Sequence, residues 1–481
     1  MRTRLQSWLA AALLIVPAGA AKADAARFAA IEVAVAKDAE PEVLAQLALG
    51  LGGQLPPAPK PVEGAETFGP AVVSKGEIQA ALTQLAILSG TNGHLTLQLA
   101  QLGREDVIYV QSGQARLSDL TGDPTLISQT GNLWRLNRPL VIWPGASLVI
   151  APGEVLEMDT AQGAFILSFG TVEITDANLR SVGADNAGVP TFRPFLLVTG
   201  QGRLQAHNAQ FESLGFRGPV AFRGVSVLTG GVMKSIAPSL ITASRFADTH
   251  SLSLEGTDDA VIRDNRFEAA LSTAISVTGG TGITLSGNRI LDTVDGAGVR
   301  LSGVLNGIAL SGNLVADGGR NGIQIDGQSR GLTLIGNAII GNKGAGITIS
   351  QSLCLTVQGN IIASNATAGL RLSDSGAARI NGNAIYSNGS AGIELLSQTG
   401  LPPIAVTANA LRHNREGLSA AGIAEVQLGG NDLAQQIPRQ FAGDFAPWLA
   451  AYLSTGSADQ AFVIPAAAGV AARPAAPCET E

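Results

Sequence analysis

The chain is poor in the residues that carry most enzyme chemistry. Its 481 residues include two cysteines and four histidines, His94, His207, His250 and His413. Two cysteines do not make a disulfide framework, and their spacing gives no reason to pair them. Cys354 reads as a buried core position and Cys478 as part of an Ala/Pro-rich tail. The scattered histidines exclude a zinc-type cluster. No Gly-x-Ser-x-Gly elbow and no Cys–His pair suggests a covalent nucleophile, and nothing calls for a cofactor. Aromatic residues are only 4 %, unusual for a globular enzyme. Charged residues are 14 %, the net charge is −7 and no Lys/Arg run occurs, which argues against nucleic acid as a partner. Beyond residue 16 no stretch is apolar enough to span a bilayer.

Glycine, in contrast, is abundant at 59 residues. Some of it falls in a rhythm of Gly-Asn and related dipeptides ending at Asn265, Asn288, Asn313, Asn337, Asn360, Asn383, Asn409 and Asn431, separated by 22 to 26 residues. A second mark runs in step, a small residue before an aliphatic one, as in Gly322-Ile323, Gly346-Ile347 and Gly369-Leu370. A fixed period of this length is the signature of a solenoid. Between the marks, aliphatic residues alternate with small polar ones, as a half-buried strand requires. About 23 residues at ~3.3 Å each are enough to wrap once and return beneath the previous turn. The sequence therefore predicts an all-β fold, a right-handed parallel β-helix, with a small helical N-terminal region and a C-terminal helical cap. The asparagines read chiefly as corner residues whose amides stack from coil to coil, with Asn342, Asn365 and Asn388 as a second short row. The glycines before isoleucine read as corners that need positive φ.

The organisation follows. Arg2 and Arg4, the apolar residues 8–16 and Ala21-Lys22-Ala23 before Asp24 form a secretory signal pattern over residues 1–23. Residues 24–130 are non-repetitive, with a short helix near residues 41–49, a proline-rich stretch at Pro56, Pro57, Pro59 and Pro61, and an amphipathic helix opened by the capping box Ser74-Lys75-Gly76-Glu77 and running to about Leu88. The β-helix is expected over residues 131–440, interrupted by a loop at about 220–238. A capping helix at 444–454 lies within a cap of residues 441–464, and residues 465–481 read as a disordered tail.

Strand alternation also predicts which side chains leave the core. One outward row is Ser253, Ser276, Arg300, Gln324, Thr348, Arg371 and Glu394. The next is Glu255, Thr278, Ser302, Asp326, Ser350, Ser373 and Leu396. Arg300 and Arg371 suit carboxylates of an anionic polymer, and the Ser, Thr and Gln side chains suit hydroxyls. The competing reading is a merely solvated face. His250 lies just before this face.

The segment Phe192-Arg193-Pro194-Phe195-Leu196-Leu197 resembles a stretch of the periplasmic mannuronan C5-epimerases of alginate synthesis. Arg138-Pro139-Leu140-Val141-Ile142, Gly163-Ala164-Phe165 and residues 172–180 fit the same register, and the resemblance covers about residues 134–431. It implies a periplasmic or secreted protein that works on a polysaccharide, alone or with exopolysaccharide export proteins. The family abstracts the C5 proton beside a carboxylate, which needs an acid, a base and a positive group. Its Asp-Pro-His-Asp motif follows a Gly-Ile mark. Here Ala274-Ile275-Ser276-Val277-Thr278-Gly279 stands at that place, and Gly303 follows Leu301-Ser302 where the family has arginine. Three readings stay open: a binding protein without that chemistry; an epimerase or lyase with displaced residues such as His250, Arg300, Asp326 and Tyr386; and a structural surface protein. Ser276, Arg300, Gln324, Asp326, Arg371 and Glu394 are the expected substrate-binding set, with no metal.

Overall fold

The computed structural model describes residues 18–53, 68–89, 93–104, 106–229, 237–455, 461–466 and Cys478. Most of the signal pattern, the proline-rich stretch and most of the tail lie outside the described residues. No helix among the described residues is long and apolar enough to cross a membrane.

The aliphatic alternation folds as the period requires. Parallel strands stack coil upon coil into a three-sided prism, with a 26-stranded sheet supplying two sides and a 13-stranded sheet the third. The coil that begins at Ile323 illustrates the path. Residues 323–326 lie on face one, residues 332–335 of the same strand Ile323–Ile335 on face two, and Ala338–Ile340 on face three. Inward residues at matching positions pile up along the axis, as in Val277, Leu301, Ile325, Ile349, Leu372 and Leu395 on face one, all buried. Each such side chain contributes about 1.5–3 kcal/mol relative to exposure. On face three Phe211, Phe246 and Phe267 stack at 4.7 and 4.5 Å between ring centres.

The Gly-Asn rhythm is a hydrogen-bonded ladder. From Asn265 to Asn409, each side-chain Nδ2 donates to Oδ1 of the next asparagine in the series at 2.8–3.0 Å, ending on Asn431. The second row does the same and extends one coil further than expected, from Asn342 through Asn365 and Asn388 to Asn414. The left-handed conformation falls on the residue before the asparagine, as at Gly336 with φ 63°. The glycines before isoleucine do not have positive φ. They are needed for space instead: a Cβ at Gly346 would sit 2.4 Å from Ile362 Cγ2 and 2.7 Å from Gly369 O.

The stack begins earlier than the repeats are visible. Strand Asp106–Arg116 already pairs in parallel with Leu140–Ile142 and Ala146–Ile150. Strand Val72–Glu77 pairs antiparallel to it, so Ser74-Lys75-Gly76-Glu77 is strand and not a helix cap. The helix expected there, α3 (Gln79–Ser89), starts just after it and buries Leu82 and Leu85 with the preceding Ile78. Strand Gly224–Leu228, inside the expected interruption, belongs to the stack. At the far end the segment 444–454 is a 3-10 turn, Ala446–Trp448, followed by a short helix, Leu449–Ser454. Strand Phe462–Ile464 pairs antiparallel to Val426–Gly429 and closes face two.

Helices α1 (Ala18–Ala36) and α2 (Pro41–Gly52) lie along face three, burying Ile31, Leu44 and Ala48 against Ala316, Ala338, Ala363 and Ala384. Glu32 fastens them by accepting from Arg412 and pairing with His413. Helices α3 and α4 (His94–Ala100) cover the first coils of face one. Cys354 is not a core position. It is half-buried on the bend between faces one and two and forms a disulfide with Cys478, with Cα atoms 5.5 Å apart.

Candidate functional site

Face one carries the expected outward rows in continuous register. Ser253, Ser276, Arg300, Gln324, Thr348, Arg371 and Glu394 pair in succession, each one coil from the last. Glu255, Thr278, Ser302, Asp326, Ser350, Ser373 and Leu396 do the same beside them. Parallel neighbours lie about 4.8 Å apart, so the rows form a regular polar comb. Ser253 is fully buried and does not belong to the open part, which begins at Ser276.

The comb is largely charge-compensated. Arg300 pairs with Asp326 at 3.3 Å, and Gln324 donates to the same carboxylate at 2.6 Å. Arg371 Nε donates to Glu394 Oε2 at 2.5 Å. Thr278 and Ser302 share a hydroxyl hydrogen bond of 3.1 Å. The two arginines expected to await a polymer carboxylate therefore already hold carboxylates of the next coil. The more open Arg300–Asp326 pair is of a kind worth about 0–1 kcal/mol and can be exchanged for a ligand's carboxylate, whereas Arg371–Glu394 is part-buried.

The less compensated positive charge lies at the edge of face one, among loops that precede its strands. A cavity of about 590 Å³ is lined by Ser181, Asp185, Phe192, Arg193, Ser213, Phe216, Arg217 and His250, among others. Arg193 pairs with Asp248 at 3.1 Å. Arg223 Nε donates to Gly218 O at 3.1 Å. Among the described residues, Arg217 and Arg223 pair with no carboxylate within salt-bridge distance. Arg217 is exposed and close enough to Asp295 to help hold its carboxyl low, after the hydrogen bond from Arg320. Burial, and then the charge of Arg300, depress the Arg223 guanidinium.

His250 stands among these cations. Burial first, then Arg223, Arg193 and Arg217, push its imidazole down to about 4, and Nδ1 is buried without a hydrogen-bond partner. The ring is neutral at pH 7, a base placed beside guanidinium groups. Because its folded value lies below the ordinary 6.5, the unfolded chain binds the extra proton first as pH falls, and stability is lost between about 6.5 and 4. Thermal melts should therefore fall more steeply across this window for the wild type than for His250→Gln. Equal slopes would show that His250 contributes nothing to the acid sensitivity.

Of the residues expected to act together, Arg300, Gln324 and Asp326 are in contact, and His250 lies near the same edge. Arg371 and Glu394 lie further along the comb. Tyr386 is elsewhere. It is buried on face three beneath the N-terminal helices, donates to Phe28 O at 3.3 Å, and burial raises its phenol well above the ordinary value. On the strand Ile275–Thr281, Ser276 and Thr278 point outward and Val277 inward. Among the described residues, no group of three or more acidic, histidine or cysteine side chains could hold a metal. The arginine cluster was hidden in sequence because Arg217 and Arg223 come from aperiodic loops. The one signal was the Phe192–Leu197 segment, which brings Arg193.

Fold and surface together define a right-handed parallel β-helix with a polar comb on face one, and the family model "Right handed beta helix region" matches residues 250–411. Among solved structures the chain is similar to the periplasmic alginate epimerase AlgG. The TM-score is 0.64 at 18 % identity, covering 81 % of this chain and 99 % of that one. A double mutant of the same enzyme gives a TM-score of 0.66 at 18 % identity, over 79 % of this chain and 99 % of that one. At this identity the likeness is one of fold. The search of curated proteins finds no match.

Proposed function

We propose that this protein is an exported polysaccharide-binding β-helix, periplasmic or secreted, that holds a carboxylate-bearing polymer along face one without the standard epimerase chemistry. The observation that carries the reading is the in-register comb from Ser276 to Glu394, with the arginine cluster at the edge of the same face. Hydroxyls, amides and guanidinium–carboxylate pairs repeat at a spacing close to that of sugar rings in an extended chain, and Arg binds carboxylates in bidentate fashion. On this reading Ser276, Val277 and Thr278 stand where the epimerase motif carries its proton-transfer side chains. Export is supported by the signal pattern and by the Cys354–Cys478 bond, since stable disulfides belong to oxidising compartments. Partners among exopolysaccharide export proteins fit this setting.

One observation favours a second reading, an active uronate epimerase or lyase: the neutral His250 beside arginines that would neutralise a substrate carboxylate. The test is incubation with polymannuronate in deuterated water, followed at C5 by proton NMR. Binding with no deuterium at C5 is expected; incorporation or a new epimer would overturn the non-catalytic reading. The double variant Arg300→Ala with Arg371→Ala leaves Asp326 and Glu394 uncompensated, and should weaken binding roughly tenfold or more at low salt. Unchanged affinity would move the polymer off this face.

A further inference from the structure

The outward row that carries the comb does not begin at Ser276. Traced towards the N-terminal coils it continues in register through Ser253, Ser226, Leu197, Leu167, Val141 and Tyr109. Every one of these six side chains is buried. Helices α3 and α4 lie over the apolar members, packing Ala81, Leu82, Leu85, Leu97 and Ala100 against them together with an aromatic cluster. Ser226 is sealed differently, its hydroxyl donating to Val220 O at 2.8 Å. The same row is open from Ser276 to Ser419. Beyond Ser419 the row ends at the buried Ala442 of the last coil, so the polar comb is a track whose N-terminal end is walled off by packed helices and aromatic rings. The arginine cluster and His250 stand at the block: Arg193, Arg217 and His250 line one cavity, and Arg223 precedes Gly224, which pairs with Ser251 next to His250.

A groove open at both ends accepts any internal stretch of a polymer. A groove closed by a wall does not let a chain lying along it continue beyond the wall. With cations gathered at that wall, the tightest contacts go to the last acidic sugars that reach it. We propose that the site recognises a polymer end: a terminal uronate segment lies along the comb, with its last carboxylates against Arg217 and Arg223, and the body of the chain leaves towards Glu394 and Ser419. This rests on the reading of face one as a polysaccharide surface, and it predicts stoichiometry, which that reading alone does not.

The experiment is calorimetric titration of the full chain with polymannuronate fractions of graded length. End recognition gives one protein per polymer chain at saturation for every fraction, and affinity per chain that stops rising once the comb is filled. A ratio that grows in proportion to chain length would overturn end recognition while leaving polysaccharide binding intact. Absence of binding by every fraction would overturn both. Arg217→Ala removes an exposed side chain that pairs with no carboxylate among the described residues, so folding should be preserved. It should weaken binding of short fractions roughly tenfold. Full affinity in this variant would overturn the placement of the chain end at the arginine cluster.

Discussion

Replacing Asn337 with leucine should lower stability by about 3–5 kcal/mol, although the two side chains are similar in size. Asn337 is fully buried. Its Oδ1 accepts from the backbone N and side-chain Nδ2 of Asn313, both at 2.9 Å. Its Nδ2 donates to Leu310 O at 3.0 Å and to Asn360 Oδ1 at 2.9 Å. Leucine leaves two donors and two acceptors facing a side chain that can satisfy none of them. Asn337→Asp should be as damaging, because its second oxygen would face Leu310 O and Asn360 Oδ1 across a buried site with no proton between them. The loss should be local, since coils interact only with their neighbours. Hydrogen exchange at the Asn313 amide should accelerate more than exchange in the coils before Val227. A urea midpoint unchanged by Asn337→Leu would mean that the ladder is ornament and the aliphatic stack alone holds the coils in register.

Phe195→Ala should destabilise by about 3–5 kcal/mol, as for a large aromatic removed from a tight core. Its ring is fully buried and packs at 4.9 Å from both Phe165 and Phe222, and at 6.4 Å from Phe192 and Phe216. These rings lie outside the prism and bind α3 and α4 to face one. The effect should therefore appear as early loss of protection in α3, with the comb beyond Ser276 retaining its own. Simultaneous melting of the helices and the whole stack would show that the cover and the prism are one cooperative unit.

The regular part of the molecule was legible because two periods reinforce one another. A 23-residue ruler fixes the coil, and alternation within the coil fixes which side of the sheet each residue takes, so Arg300 and Glu394 could be placed from sequence. Polar pairing across coils was less legible: the ruler sets Arg371 beside Glu394, but only side-chain geometry shows that they satisfy each other. The blocked end was not legible at all. It depends on α3 and α4 lying over Val141, Leu167 and Leu197, a contact between segments with no shared period. Tyr386 lies away from face one and buried for a related reason. Alternation gives inside or outside, yet an outward residue on face three is buried once helices from the other end of the chain lie over it.

The disulfide between Cys354 and Cys478 has a topological consequence. In an unbranched solenoid the terminal coil can peel away alone and expose the next. Here the chain from Cys354 to Cys478 is a covalent ring spanning 124 residues. Closing a ring of this size removes freedom from the unravelled state by about 5 kcal/mol on a chain-entropy model. The C-terminal coils thus lie within a cyclised segment, and a protease that nicks the ring once between its two cysteines releases no fragment until the bond is reduced.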